Sequence, residues 1–376
     1  MSQQPGLNSN LTVGNRRLHV QTSFSDTNST VICNIFQDGR ILDSNEYSVP
    51  RSWDAARLHK KLEEIHHNTV KDIELLYFIA EKVRQVKHPI SCNKLGLVFL
   101  KRGFVEEAVE FFKLAIETDP DFSEAYNNLG LAYLELSQPD QAEESFRKGL
   151  EKAKTYADLH LNLGRVYLEK EAFPEAIKAL ERALELNANY FEANYYMGIT
   201  LLTTLVKSVE SGDLPPSNVR LKRALHHLRR AAQLFKPFDN EAYKQAQTAI
   251  EAEDTESALK YFRNAFKQSQ PKMDLTFDHE FYLKFMYGGK GKDNQFIGSY
   301  VEKLKEAIHN YPEYADLHNN LGIAYLIMCR NLFLKALDEF RQALKINPNF
   351  KKAEKNLKLA ENDGKGFLIL LRAILK

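Results

Sequence analysis

One eight-residue phrase recurs along the chain with its spacing kept. It reads CNKLGLVF at 92–99, YNNLGLAY at 126–133, HLNLGRVY at 160–167, NYYMGITL at 194–201 and HNNLGIAY at 318–325. The first four copies begin 34 residues apart, and each is followed by a second fixed set, such as Ala108, Phe112, Ala115 and Pro120 after the first. A fixed period of this length marks an internal repeat whose units each touch only their neighbours.

Each unit can be numbered so that its glycine falls at place 8. Repeat one is then 89–122, with Cys92 at 4, Leu95 at 7, Gly96 at 8, Phe99 at 11, Ala108 at 20, Phe112 at 24, Ala115 at 27 and Pro120 at 32. Repeat two, 123–156, carries Tyr126, Leu129, Gly130, Tyr133, Ala142, Phe146 and Gly149; repeat three, 157–190, carries His160, Leu163, Gly164, Tyr167, Ala176, Leu180 and Ala183. Places 8 and 20 are small where helices A and B of one unit touch, and places 4, 7, 11 and 24 fill the space around that contact. Pro120 ends its helix because it cannot continue the hydrogen-bond ladder. This set of residues at this period resembles the tetratricopeptide repeat (TPR). The resemblance implies a mainly α fold, a right-handed solenoid of helix pairs.

It covers residues 89–350. Repeat four, 191–238, has Met197 and Gly198, then roughly 14 extra residues before Ala224, Leu228 and Ala231. The insert, with Gly212, Pro215 and Pro216, is expected to protrude as a loop. Repeat five, 239–272, has Ala246 where glycine is expected; unit six, 273–314, is broken by GGKGK at 288–292. Repeat seven, 315–350, keeps Leu321, Gly322, Tyr325, Ala336, Phe340, Ala343 and Pro348, with two extra residues between its helices. One continuous superhelix and two lobes split near 205–295 are both compatible with these degenerate middle units.

The first 88 residues read differently. Residues 1–15 are polar and expected to be disordered. Within 16–50, Leu18, Val20, Thr22 and Phe24 alternate, as do Val31, Cys33 and Ile35; Ile41 and Tyr47 lie in a third run, and Asp38-Gly39 marks a hairpin. A three-stranded antiparallel β-meander follows. Residues 51–88 hold a helix with Leu58, Leu62, Ile65, Leu76, Ile79, Val83 and Val86 on its apolar side, expected to cover the sheet and lead into repeat one.

Composition sets outer limits. The chain has 376 residues, 44% hydrophobic and 27% charged, with a formal net charge of +1. That argues against a protein built to hold nucleic acid. Cys33, Cys92 and Cys329 are few and far apart, without metal-ligand spacing, which suits a reducing compartment, by default the cytoplasm. No apolar run approaches the ~20 residues of a membrane span.

At about 100° per residue, places 4, 7, 8 and 11 share one side of helix A, while 2, 5, 6, 9, 12 and 13 share the other and are expected to line a concave groove. Asparagine falls there repeatedly: Asn93, Asn127, Asn128, Asn162, Asn319 and Asn320. Amides both donate and accept, so a column of them can grip an extended peptide backbone. The column resembles the asparagine ladder in the repeats of O-linked N-acetylglucosamine transferase. Leu131, Arg165, Tyr195, Tyr196 and Ile323 would add side-chain selectivity. A simple tolerance for small polar residues explains the same column. Place 2 holds Glu124, Asp158, Glu192 and Asp316, which would repel the acidic tails that basic TPR grooves clamp and favour a neutral or mildly basic segment.

Other signals are weaker. His59, Glu63 and His67 share a helix face that could hold a divalent ion, or simply be solvated. Arg220, Lys222, Arg223, His226, His227, Arg229 and Arg230 are expected on an exposed face of repeat four, and Cys92 and Cys329 as packed thiols. GGKGK lacks Walker spacing. The charged helix from 351 ends in GFLILLRAILK, 366–376, too short to span a bilayer and expected to pack on repeat seven as part of a capping segment, 351–376. No motif supports catalysis, a cofactor or a resident metal. The sequence therefore implies a non-enzymatic scaffold binding a peptide or partner protein. The alternative is a self-assembling subunit pairing through the free edges of the amino-terminal sheet.

Overall fold

A computed structural model describes residues 6–269, 276–312, 314–346, 348–349 and 351–374. The chain divides into two compact units, residues 1–272 and 273–376.

The first unit opens with four antiparallel strands in the order β1 Leu7–Val13, β2 Arg16–Ser25, β3 Thr30–Gln37 and β4 Arg40–Ser48. Strand β1 corrects two expectations, disorder over 6–15 and a three-stranded sheet; residues 1–5 lie outside the described residues. Its sequence, LNSNLTV, is mostly Asn, Ser and Thr, so it carries little apolar signal. It is an edge strand, fixed by pairs such as Leu11 with Leu18 and by a turn in which Gly14 adopts φ +55°. The Asp38-Gly39 turn has φ of 49° and 78°, the paired positive values of a two-residue hairpin.

Helix α1, Ala55–Val86, is capped by Asp54, whose carboxylate accepts from the Arg57 amide at 2.8 Å, and it packs on β1, β2 and β3. Its buried stripe includes Leu58, Leu62, Ile65, Ile73, Leu76, Ile79 and Val83; Val86, past the sheet, is exposed. The sheet and α1 are keyed to repeat one. Tyr77 Oη donates to Glu107 Oε1 at 2.8 Å, Arg16 pairs with Glu107, and Arg102 Nη2 donates to Asp72 at 2.8 Å.

Ten helices follow in five pairs: α2 Pro89–Lys101 with α3 Val105–Thr118, α4 Ser123–Glu135 with α5 Pro139–Lys152, and α6 Ala157–Glu169 with α7 Phe173–Leu186. Then come α8 Phe191–Val206 with α9 Ser217–Leu234 and α10 Glu241–Glu251 with α11 Thr255–Ser269. Each A-to-B turn is closed by a left-handed residue: Gly103, Ser137, Glu171, Ser208 and Glu253, at φ between 51° and 74°. The small-residue places behave as their chemistry demands. A Cβ on Gly96 or Gly130 would lie 2.5 or 2.3 Å from Phe112 or Phe146, and one on Gly164 or Gly198 would meet Leu180 or Leu228.

The insert of repeat four protrudes less than expected. It lengthens α8 and α9, and Leu214 in the remaining loop is buried in the core that holds Met197, Leu228 and Phe238. Arg220, expected on a solvated face, is fully buried. Its guanidinium donates to Val209 O at 2.8 Å and to Glu210 Oε1 at 2.8 Å, pinning the loop's start to α9.

The second unit contains α12 Thr276–Met286, α13 Asn294–Asn310, α14 Ala315–Ile346 and α15 Lys351–Ile374. Its core gathers Phe281, Ile297, Tyr300, Leu304, Leu317, Ala324 and Ile327. Repeat seven is not a helix pair. It is one 32-residue helix, with no left-handed residue between its halves of the kind that closes the other five turns. Arg330 Nη2 and Asn331 Nδ2 instead donate to Gly291 O, and Asn331 also to Asn294 Oδ1 at 3.0 Å. Two expectations fall with the turn: Cys329 is exposed rather than packed, and no atom lies within 4 Å of a Cβ placed on Gly322. By length and composition α14 could cross a membrane; Leu317, Ala324 and Ile327 pack in this unit's core, while most of its apolar stretch is not buried. The helical backbone of α15 includes most of the apolar tail; the packing of side chains 367–376 lies outside the described residues.

Candidate partner-binding face

The A helices of repeats one to four touch in succession, α2 with α4, α4 with α6 and α6 with α8. Place 5 of one repeat therefore faces place 6 of the next. Asn128 Nδ2 donates to Asn93 Oδ1 at 2.9 Å, and Asn162 Nδ2 donates to Asn127 Oδ1 at 2.8 Å. All four residues are at least nine-tenths buried. The column is real in space, but its amides join repeat to repeat. Sequence spacing put these residues on one side of each helix; it could not show that the partner of each amide is another amide.

Around this seam lie groups that remain accessible. Asn93 Nδ2 donates to Glu124 Oε1 at 2.9 Å, and Glu124 is exposed. Arg165 Nη1 donates to Asn162 Oδ1 at 2.9 Å while its guanidinium lies 5.3 Å from the centre of the Tyr196 ring. Leu131, Arg165 and Tyr196 are half-buried; Tyr195 is buried and stacks on Phe266 at 3.9 Å between centroids.

Place 2 gives the face its charge. Glu124, Asp158 and Glu192 stand at the same position of three successive A helices, with Tyr156 and Tyr190 between them. Tyr190 Oη donates to Asp158 Oδ1 at 2.5 Å. Burial, with the Asp158 and Glu124 carboxylates nearby, pushes the Tyr156 phenol up to about 12. Burial and the Asp158 charge, against the opposing effect of its own backbone amide and Arg165, hold Glu192 above the usual carboxylate range. The carboxylates are legible in the sequence as a charge at place 2, whereas Tyr156 and Tyr190, at place 34 of the preceding repeats, carry no such signal.

The remaining expected residues belong to the second unit. Asn319 is exposed, Asn320 Nδ2 donates to Asp278 Oδ1 at 3.1 Å, and Ile323 packs on that unit's core. His59 and Glu63 form an exposed pair at 3.3 Å on α1. The buried histidine there is His66, held between Ser9 Oγ at 2.8 Å and Thr22 Oγ1 at 2.9 Å. Among the described residues no cluster of three or more His, Cys, Asp or Glu side chains has metal-binding geometry.

The tetratricopeptide repeat family matches residues 127–191 and 161–203, and a second TPR description matches 96–137. Among solved structures, MamA aligns at 22% identity over 46% of this chain and 94% of its own, with a TM-score of 0.35. YrrB, described as a TPR protein with an unusual peptide-binding site, aligns at 23% identity over 54% of this chain and 97% of its own, TM-score 0.36. PilF of Pseudomonas aeruginosa aligns at 20% identity over 62% and 96%, TM-score 0.38. These are likenesses of fold alone. No curated protein matches the chain.

Proposed function

Because the chain is a tetratricopeptide-repeat protein, we propose that it is a non-enzymatic protein-interaction scaffold whose repeats one to four hold a neutral or mildly basic peptide segment across the helix-A face. One observation carries the reading: carboxylates repeat at place 2 of three successive A helices, Glu124, Asp158 and Glu192, beside the half-buried Leu131, Arg165 and Tyr196. Glu192 is held above its ordinary range by burial and by Asp158, so a cation brought by a partner is favoured there. The neighbouring guanidinium of Arg165 is already engaged by Asn162 and Tyr196. In this reading the asparagines set the spacing of the A helices, and the carboxylates, Arg165 and Tyr196 meet the ligand. The unbridged cysteines fit a reducing compartment, and we assign the protein to the cytoplasm.

The test is an array of immobilised peptides graded from acidic to basic, probed with the full chain and with the E124Q/D158N/E192Q variant. Binding concentrated on neutral and basic peptides, and lost in the variant, is expected. Binding that ignores peptide charge, or a variant that binds as the parent does, contradicts the reading.

A further inference from the structure

The seventh repeat carries both halves of a contact it does not make. In repeats one to four the glycine at place 8 receives the side chain at place 24: Gly96 receives Phe112, Gly130 receives Phe146, Gly164 receives Leu180 and Gly198 receives Leu228. Gly322 and Phe340 are the corresponding pair in repeat seven, yet α14 runs straight through both and leaves the glycine open. The consequence is an exposed stripe along α14 that includes Gly322 and Ala336, whose glycine and alanine places are buried in repeats one to four. Gly322, Tyr325, Cys329, Leu332, Ala336 and Ile346 are all exposed, with Tyr325 at 47%, Leu332 at 61% and Ile346 at 85%. Their spacing alternates between three and four residues over most of its length, which keeps one seam on a helix.

We propose that this seam is covered by a second copy of the chain, two α14 helices pairing antiparallel so that each supplies the helix-B half missing from the other's repeat seven. The seam is self-complementary about Asn331, which lies midway between Gly322 and Phe340. Such pairing sets Phe340 of each copy against Gly322 of the other, the contact already filled four times in this chain, and closes as a two-fold dimer. Charge agrees with the same register: Asp316 near one end of α14 falls beside the other copy's Lys345 near the opposite end, twice over by symmetry. Closure within one chain is disfavoured, because a turn near 330 would break the bonds from Arg330 and Asn331 to Gly291 and Asn294. This surface is separate from the edges of the amino-terminal sheet and independent of the peptide-binding reading.

Sedimentation of the full chain at tens of micromolar gives a dimer if the inference holds. Leu332→Glu and Ala336→Glu, both at exposed positions, give monomers with unchanged circular dichroism. A parent chain that sediments as a monomer, or variants that remain dimeric, overturn it. Register is tested by disulfide trapping in a Y325C/A336C chain with C329S. The two new cysteines lie about 16 Å apart along one helix at ~1.5 Å per residue, beyond the ~7 Å that a disulfide bridges. A disulfide-linked dimer is therefore expected. A disulfide within one chain shows that repeat seven folds back on itself and overturns the proposal, as does a monomer that binds lipid vesicles without dimerising.

Discussion

The ring of Phe146 occupies the space that a side chain at Gly130 would need: a Cβ there would lie 2.3 Å from the phenylalanine Cε1. Helices α4 and α5 close on that contact, and the small residue exists to permit it. Gly130→Ala is expected to cost about 1–3 kcal/mol through overpacking. Gly298→Ala, in α13 with nothing within 4 Å of the new methyl, is expected to stabilise by up to ~1 kcal/mol through helix propensity. Urea unfolding of the two variants checks the opposite signs.

The asparagine seam gives a second expectation. Asn128→Ala and Asn162→Ala each leave a buried carbonyl, Asn93 Oδ1 or Asn127 Oδ1, without its donor. Each is expected to cost about 1–3 kcal/mol of stability, seen as a lower melting temperature with no peptide present. A melting temperature equal to the parent's in both variants would remove the seam from the account.

Those two sites also mark what was legible in the sequence. The helix pairs were, because the spacing of Gly130, Ala142 and Phe146 states both a helical period and a packing contact. Strand β1 was not, since Leu7–Val13 takes its conformation from pairing with β2 rather than from its own apolar content. The single helix α14 was hidden for the opposite reason: Gly322, Ala336 and Phe340 keep the spacing of a closed pair, while the residues that close the other turns, such as Ser137 and Glu171, are of types that do not mark a turn in sequence. At the candidate site, the spacing places the asparagines and the place-2 carboxylates on one side of the A helices. It could not show that Asn93, Asn127, Asn128 and Asn162 satisfy one another, nor that Tyr156 and Tyr190 join the carboxylates, because both depend on distances between repeats.

Acid should weaken the fold through His227. Burial, then the charges of His226 and Arg223, lower its pKa from 6.5 to about 4, and its Nδ1 lies 3.0 Å from Asn194 Oδ1. Between those values the unfolded chain binds more protons than the folded one, so stability is complete above 6.5 and falls as pH drops towards 4. The loss is about 3 kcal/mol at most, less after solvent screening of this half-buried ring, and His66, also lowered by burial, adds to it in the same direction. Denaturant titrations at neutral pH and between 4 and 6.5 should show this slope, reduced in His227→Gln.

Arg220 should govern the loop of repeat four. Arg220→Met removes the donors to Val209 O and Glu210 and frees the loop from α9. Limited proteolysis is expected to cut between 207 and 216 several-fold faster than in the parent. Equal cleavage rates would show that Leu214 alone holds the loop.

The central claim is that a ligand lies against the A helices of repeats one to four. It is tested most directly by placing a photo-crosslinking benzophenone residue at position 131 or 165 of the full chain, or at 148 on helix α5, and adding a basic peptide selected from the array. The account predicts crosslinks from positions 131 and 165 and none from 148. Crosslinking from 148 alone, or equally from all three, would contradict it.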